Sequence, residues 1–340
     1  MIKPRKLQHG DTIATISPSW GIAGETDVLW RYEIGKKRLQ DIFGLNVINA
    51  PNSLRGERYL KDNPKSRAED LMWAFENKEV KAIVSNIGGN DSISLLPFMN
   101  IETIKCNPKI FLGYSDILNV HMMCYIAGLT SFYGANLLPI IAEVNELHPY
   151  TKHWLEKSLF ENDIIGEIPP SENWSCDEVD YFHDPKMKTF RSNDGYELIC
   201  GTGIVNGKLI GGTSELKNLV ETELEISLSS YDDAILFIED IVECLTPEDF
   251  ADFVRWLGNS GILSRINGMI IGKFNICPEN RKYVEIIKNV VQIEFELTNL
   301  PILYGLNFGH TSPMIVLPYG INSQIDCDCC KFSIIESAVV

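Results

Sequence analysis

Ser115 is the residue in this sequence whose neighbours best suit a nucleophile. It lies in Gly113-Tyr114-Ser115-Asp116, between an apolar run at 109–112 and a helix-periodic apolar segment at 117–127. This order predicts a strand, a sharp turn and a helix. Such a turn holds a serine hydroxyl above a sheet edge and leaves the next backbone N–H free to meet developing negative charge. The full G-x-S-x-G signature is absent because position 117 is Ile. The alternative is that Ser115 is only a helix N-cap.

A serine nucleophile needs a base, and the base needs an orienting acid. His310 differs from the other histidines because it follows a predicted short strand in a glycine-flanked loop, Phe308-Gly309-His310. Glu239 and Asp240 end a wholly apolar strand predicted over 234–238, which puts two carboxylates at the mouth of a sheet. Each has a simpler interpretation. A loop histidine is usually a surface residue, and carboxylates after a strand usually cap the next turn.

The pair Gly88-Gly89 follows another predicted strand and precedes Asn90-Asp91. Glycine allows a backbone to approach a ligand closely, so this turn could supply an oxyanion donor beside the N–H of Asp116. It could equally be a turn and nothing more.

Predicted strands and helices alternate through the first half of the chain. This order predicts a mainly parallel sheet with flanking helices, and such sheets bind ligands beyond the carboxyl ends of their strands. We expect an N-terminal α/β domain over 1–165 that carries the nucleophile. A long Pro-bounded connection over 166–206 follows, and connections of this length are usually functional or mobile. A smaller C-terminal α/β domain over 207–340 would carry the acid and the base.

Composition limits the partners. The formal net charge of −16 argues against nucleic acid and anionic membrane surfaces. No secretory signal and no run of about 20 apolar residues is visible. Nine cysteines, an odd number, fit reduced thiols in a cytoplasm better than a disulfide framework. For the cluster of Cys327, Cys329 and Cys330, alternation along a terminal strand is favoured over a zinc site, because no further ligand stands nearby.

Seven short motifs together resemble the serine peptidase family of LD-carboxypeptidases and microcin C immunity proteins. The resemblance implies Ser115 as nucleophile, Glu239 as acid, His310 as base, and the backbones of Gly89 and Asp116 as oxyanion donors. It also implies a cytoplasmic homodimer without metal or cofactor. The motifs are Gly10-Asp11 with Ser17-Pro18-Ser19, Arg67-Ala68-Glu69-Asp70-Leu71, Gly88-Gly89-Asn90-Asp91, Gly113-Tyr114-Ser115-Asp116, Leu209-Ile210-Gly211-Gly212, Ile235-Leu236-Phe237-Ile238-Glu239-Asp240 and Phe308-Gly309-His310.

The long connection is similar to that of the immunity branch, where loop aromatics stack on the nucleobase of a peptidyl-adenylate mimic. Trp174 would be the counterpart, although a lone loop tryptophan can also pin the loop to the body. Gly88, Tyr196 and Thr213 are further implied substrate-binding residues. Tyr196 stands where that branch usually has Trp, and Thr213 stands where it usually has Asn.

The predicted function is therefore that of a serine carboxypeptidase or amidohydrolase. It would cleave the amide between a peptidyl or aminoacyl group and a nucleotide-like moiety. One alternative is a muramoyl-tetrapeptide LD-carboxypeptidase of peptidoglycan recycling, and another is a non-catalytic ligand-binding module.

Overall fold

A computed structural model describes residues 1–182, 186–242, 245–276 and 281–340. Two main sheets dominate it. The strands within these ranges are β1 (Thr12–Ile16), β2 (Asn46–Asn49), β3 (Val80–Ser85), β4 (Ile110–Gly113), β5 (Phe132–Tyr133), β6 (Gly166–Glu167), β7 (Asn173–Trp174), β8 (Arg191–Ser192), β9 (Glu197–Cys200), β10 (Ile204–Gly212), β11 (Ile235–Ile238), β12 (Gly268–Gly272), β13 (Ile302–Leu306), β14 (Leu317–Pro318), β15 (Asn322–Asp326) and β16 (Lys331–Ile334).

Helices connect most of these strands. The α-helices of the described residues are α1 (Leu29–Phe43), α2 (Glu57–Asp62), α3 (Pro64–Glu76), α4 (Ile101–Cys106), α5 (Leu118–Ile126), α6 (Pro149–Leu159), α7 (Pro247–Asn259) and α8 (Lys282–Ile287). Helix α7 shows why local sequence predicts such elements well. The Thr246 side chain accepts the N–H of Asp249, Pro247 occupies the first turn, and acids follow it.

The first sheet has the order β14-β5-β4-β3-β1-β2, with parallel pairing throughout except for β14 at the edge. Its inner strands are apolar and buried on both faces, as a parallel sheet covered by helices requires. The predicted α/β class with a mainly parallel N-terminal sheet is confirmed.

The second sheet has the order β6-β16-β15-β10-β11-β12-β13-β9. Its centre, β10-β11-β12-β13, is parallel, and the flanking strands pair antiparallel. The carboxyl ends of β11 and β13 therefore meet at one edge. A second α/β unit was predicted, but its β15-β16 hairpin was not.

The cysteines correct two expectations. Cys327 to Cys330 form the turn between β15 and β16 rather than an alternating strand, and Cys330 adopts a φ of 51°. Cys176, in the long connection, is disulfide-bonded, so the expectation of reduced thiols is wrong at this position. Sequence spacing cannot reveal which cysteines a fold brings together. Six other cysteines carry free thiols. No helix in the described ranges is long and apolar enough to cross a membrane.

Candidate active site

Ser115 lies at the turn between β4 and α5, in a short 3-10 segment that runs from Ser115 to Ile117. Its φ is 70°, a left-handed conformation that costs a non-glycine residue on the order of 1–3 kcal/mol. This is the strained strand-to-helix turn of a nucleophile elbow, even though Ile117 replaces the second glycine. A Cβ at Gly113 would lie 2.9 Å from the Ile117 Cγ2, so the first glycine makes room for that isoleucine.

The His121 side chain on α5 contacts the backbone of the elbow strand. Its Nε2 lies 2.8 Å from the Gly113 carbonyl and its Nδ1 lies 2.9 Å from the Ser131 hydroxyl. Complete burial lowers its pKa to about 3, so the ring is neutral. His121 is thus a packed residue of the elbow helix α5.

The three predicted catalytic side chains meet at the facing edges of the two sheets. His310 Nε2 lies 3.0 Å from Ser115 Oγ, and His310 Nδ1 lies 2.7 Å from Glu239 Oε2. The Glu239 side chain is fully buried, while 14% of the His310 side chain is exposed. A nucleophile bonded to a base, and the base bonded to a buried acid, is the arrangement that serine hydrolysis needs.

Gly309 allows the acid and the base to come this close. Its φ is 92°, and a Cβ there would lie 2.7 Å from the carboxyl carbon of Glu239. Any side chain at 309 would displace the carboxylate, which explains the glycine next to His310.

Tyr133 is a member of this site that the sequence analysis did not identify. Its hydroxyl donates to Glu239 Oε1 at 2.5 Å and accepts the N–H of Ser115 at 3.1 Å. The residue lies in a short apolar strand, and nothing in that pattern indicates which way its ring points.

The two predicted oxyanion donors flank the nucleophile. Within the described chain, neither the N–H of Gly89 nor that of Asp116 donates to a protein acceptor, whereas the N–H of Ser115 is taken by Tyr133. A Cβ at Gly88 would lie 2.9 Å from the Ser115 Cβ, and a Cβ at Gly89 would lie 2.9 Å from the Trp20 nitrogen. Both glycines are therefore needed for this close approach.

The Asp116 carboxylate holds the glycine turn onto the elbow. Its Oδ2 accepts the N–H groups of Asp91 at 3.0 Å and Ser92 at 2.9 Å, and also the hydroxyl of Ser19. These bonds join three of the motifs that the sequence analysis could identify only separately.

Trp174 and Tyr196, both in the long connection, contact other parts of the protein. Trp174 is only 6% exposed, with the Lys273 ammonium 5.0 Å from its ring centroid. The Tyr196 hydroxyl donates to the Ile168 carbonyl at 3.1 Å. These contacts favour the alternative in which Trp174 pins the connection to the body, and stacking on a nucleobase stays a prediction for it.

Thr213 lies beside the acid. The Glu239 N–H donates to the Gly212 carbonyl at 3.2 Å, and the Ser214 N–H donates to Asp240 Oδ2 at 2.8 Å. The Thr213 hydroxyl is buried and has no hydrogen-bond partner in the described part of the chain.

Two further features were missed. The backbone N–H of Trp20 donates to the Gly88 carbonyl at 3.0 Å, and the centroid of its indole ring lies 6.1 Å from those of the Tyr181 and Phe182 rings in the long connection. Glu215, two residues after Thr213, has a buried oxygen that makes no hydrogen bond within the described residues. Burial, with nearby carboxylates in support, raises its pKa to about 8.

Lys188 attaches the connection to the rest of the protein. Its ammonium lies 2.6 Å from Glu143 Oε2 and 2.6 Å from the Ser312 hydroxyl, two residues after His310. Ser175 and Ser312 also exchange backbone hydrogen bonds at 2.7 and 3.0 Å. In the described ranges, no group of three or more His, Cys, Asp or Glu residues is arranged to hold a metal ion.

Known proteins match this chain over nearly its whole length. Residues 13–134 match the LD-carboxypeptidase N-terminal domain, and residues 206–325 match the C-terminal domain of the same family. The microcin C7 self-immunity protein MccF of Escherichia coli is 29% identical, over 97% of this chain and 94% of its own. A probable murein peptide carboxypeptidase of Bacillus subtilis is 28% identical, over 99% and 95%.

Solved structures are similar over the same length. An MccF-like protein from Streptococcus pneumoniae, in complex with AMP, has a TM-score of 0.86 and 32% identity, covering 95% of this chain and 98% of its own. MccF in complex with aspartyl sulfamoyl adenosine has a TM-score of 0.84 and 26% identity over 100% of both chains. This chain therefore belongs to the LD-carboxypeptidase family of peptidases, S66.

Proposed function

We propose that this protein is a serine peptidase of the microcin C immunity type. It cleaves the amide between a peptidyl or aminoacyl group and a nucleotide-like moiety. The observation that carries the proposal is the unbroken chain of hydrogen bonds from Ser115 Oγ through His310 to the buried Glu239.

In the proposed mechanism, Ser115 Oγ forms a bond to the substrate carbonyl carbon while its proton passes to His310 Nε2. Glu239 holds the Nδ1 proton and stabilises the imidazolium. The oxyanion is met by the N–H groups of Gly89 and Asp116. The carbon–nitrogen bond then breaks, and His310 gives its proton to the leaving nitrogen. Water, deprotonated by His310, hydrolyses the resulting ester and regenerates Ser115.

The immunity-type substrate is supported by likeness over nearly the whole chain to MccF, a protein solved with an aminoacyl sulfamoyl nucleoside. It is also supported by the aromatic rings of Tyr181 and Phe182 in the long connection, which pack against Trp20, the residue whose backbone N–H donates to the Gly88 carbonyl. We propose Trp174 as the nucleobase platform. Trp20 with Phe182 is the alternative platform, since Phe182 is 42% exposed while Trp174 is buried.

A muramoyl-tetrapeptide LD-carboxypeptidase is the second candidate. It is favoured by the similarity to the probable murein peptide carboxypeptidase and by the burial of Trp174. It requires the same nucleophile, base and acid. A non-catalytic module would have no use for the strained Ser115.

The test is to incubate the protein with aspartyl sulfamoyl adenosine and, separately, with a muropeptide tetrapeptide, and to identify the products by mass spectrometry. Release of the sulfamoyl nucleoside supports the proposal. Release of the terminal D-amino acid alone would favour the second candidate. Products from neither substrate, with no labelling of Ser115 by a serine-directed phosphonate, would favour the non-catalytic module.

We also propose that residues 1–165 supply the nucleophile and oxyanion donors, 166–206 contact the substrate, and 207–340 supply acid and base. A cytoplasmic homodimer completes the proposal. Light scattering of the purified protein tests the dimer, and cell fractionation tests the location.

A further inference from the structure

Four residues of the site form a closed ring of hydrogen bonds. The Ser115 N–H donates to the Tyr133 hydroxyl, which donates to Glu239 Oε1. Glu239 Oε2 accepts from His310, whose other ring nitrogen accepts from Ser115 Oγ. Ser115 takes part in this ring of hydrogen bonds twice, through its backbone N–H and through its hydroxyl.

Tyr133 joins the two sheets at this point. It lies on β5, where its backbone is paired with Gly113 of the elbow strand, while Glu239 follows β11 of the second sheet. Its ring is fully buried, 5.3 Å from that of Phe237 on β11. Burial and the Glu239 charge raise the pKa of Tyr133 well above its usual value, so the hydroxyl keeps its proton and can donate to the carboxylate.

We propose that Tyr133 is a positioning residue that holds the acid of one sheet in line with the nucleophile of the other. This inference rests on the proposed function. Because each carboxylate oxygen of Glu239 has its own donor, the carboxylate cannot rotate away from His310 without breaking a buried hydrogen bond. Because the Ser115 N–H is occupied, the oxyanion is left to Gly89 and Asp116.

Tyr319 provides a matched control. It is also fully buried, its ring lies 6.3 Å from that of Tyr133, and its hydroxyl donates to the Gly211 carbonyl at 2.7 Å. Tyr319→Phe therefore removes a comparable buried hydroxyl from the same aromatic cluster without removing a hydrogen bond from Ser115, Glu239 or His310.

The experiment measures the rate at which a fluorophosphonate labels Ser115 in the full-length protein, because labelling does not depend on the natural substrate. We expect Tyr133→Phe to label roughly 10- to 100-fold more slowly than wild type, and Tyr319→Phe to stay within about twofold. Thermal unfolding of both variants measures what each lost hydroxyl costs the fold.

The pH profile separates positioning from general damage. A carboxylate that loses a donor attracts the imidazolium more strongly, so the acid limb of the labelling profile should move up by roughly half a pH unit in Tyr133→Phe. Incorporation of 3-fluorotyrosine at position 133 should move the limb down, because the fluorinated phenol is a stronger donor. This variant keeps the test available if Tyr133→Phe fails to fold.

Two results would overturn the inference. If the wild-type protein is not labelled, the proposed function fails and the inference fails with it. If wild type is labelled while the position-133 variants match Tyr319→Phe in rate and pH profile, the inference alone fails.

Discussion

The hydrogen-bonded ring at Ser115 and the long connection over 166–206 are built in different ways. The ring lies at the carboxyl ends of parallel strands, and each of its side-chain bonds joins buried or largely buried groups. Between β6 and β9, the described residues of the connection form only the two-residue strands β7 and β8, and this stretch is attached to the body by contacts that include the Lys188 ion pair and the pairing of Ser175 with Ser312. The proposed catalytic groups are thus held by the two sheets, whereas the segment proposed to contact the substrate is held by a few separable attachments.

The strongest test of the hydrogen-bonded ring is to remove one of its side chains. Ser115→Ala and His310→Ala should each lower kcat by about 10⁴-fold or more, and the double variant should be hardly worse, because residues that share one step are non-additive. Steady-state kinetics measures this, with circular dichroism to check the fold. Additive losses would mean that the two residues serve different steps.

Glu239→Gln should be milder, with a loss of kcat of about 10²-fold. The amide can turn its oxygen to His310 and its nitrogen to the Tyr133 hydroxyl, which is able to accept. The correct imidazole tautomer then survives without the charge. Glu239→Ala, measured beside it, should approach the loss of His310→Ala. Equal kcat for the Gln and Ala variants would contradict this explanation.

Trp174→Ala tests the connection. If the Trp174 indole stacks on a purine, kcat/KM should fall roughly tenfold for aspartyl sulfamoyl adenosine, since stacking contributes on the order of 1–3 kcal/mol. The loss should be small for a peptide that carries no base. If the Trp174 indole instead pins the connection to the body, as its burial favours, kcat/KM should fall equally for both substrates and the melting temperature should fall as well. Trp256→Ala on α7, also packed against the core, is the control for general destabilisation.

Glu215→Gln should have the smallest effect and should act on stability. The pKa of Glu215 is about 8 in the folded protein and 4.5 in the reference state, so the folded state binds more protons between these values. Stability is therefore lost as pH rises through this range. The Gln variant should be more stable than wild type by about 1–2 kcal/mol at pH 8 and no different at pH 4, measured by urea unfolding. A stability difference independent of pH would exclude this origin.

The sequence indicated the ring better than its surroundings for a physical reason. Ser115, Glu239 and His310 each follow an apolar strand, and parallel pairing brings Glu239 and His310 to one edge of the second sheet while Ser115 lies at the same kind of edge of the first. The place of Tyr133 depends on how two sheets dock, which no local pattern encodes. The burial of Trp174 depends likewise on Lys273, and on the attachment of the neighbouring Ser175 to Ser312, both distant in the chain. The Cys327–Cys330 turn was missed because cysteine carries no turn signal.

The four hydrogen-bonded residues around Ser115 are divided between two sheets. The geometry of the site therefore depends on how the two sheets dock, an equilibrium distinct from global unfolding. Ser115 and Tyr133 belong to one sheet, whereas Glu239 and His310 follow strands of the other. A small separation of the two halves would break the Tyr133–Glu239 and Ser115–His310 bonds while leaving both sheets hydrogen-bonded internally. Loss of phosphonate labelling in mild denaturant should thus precede loss of far-ultraviolet ellipticity, and reactivity at Ser115 becomes a reporter of sheet docking.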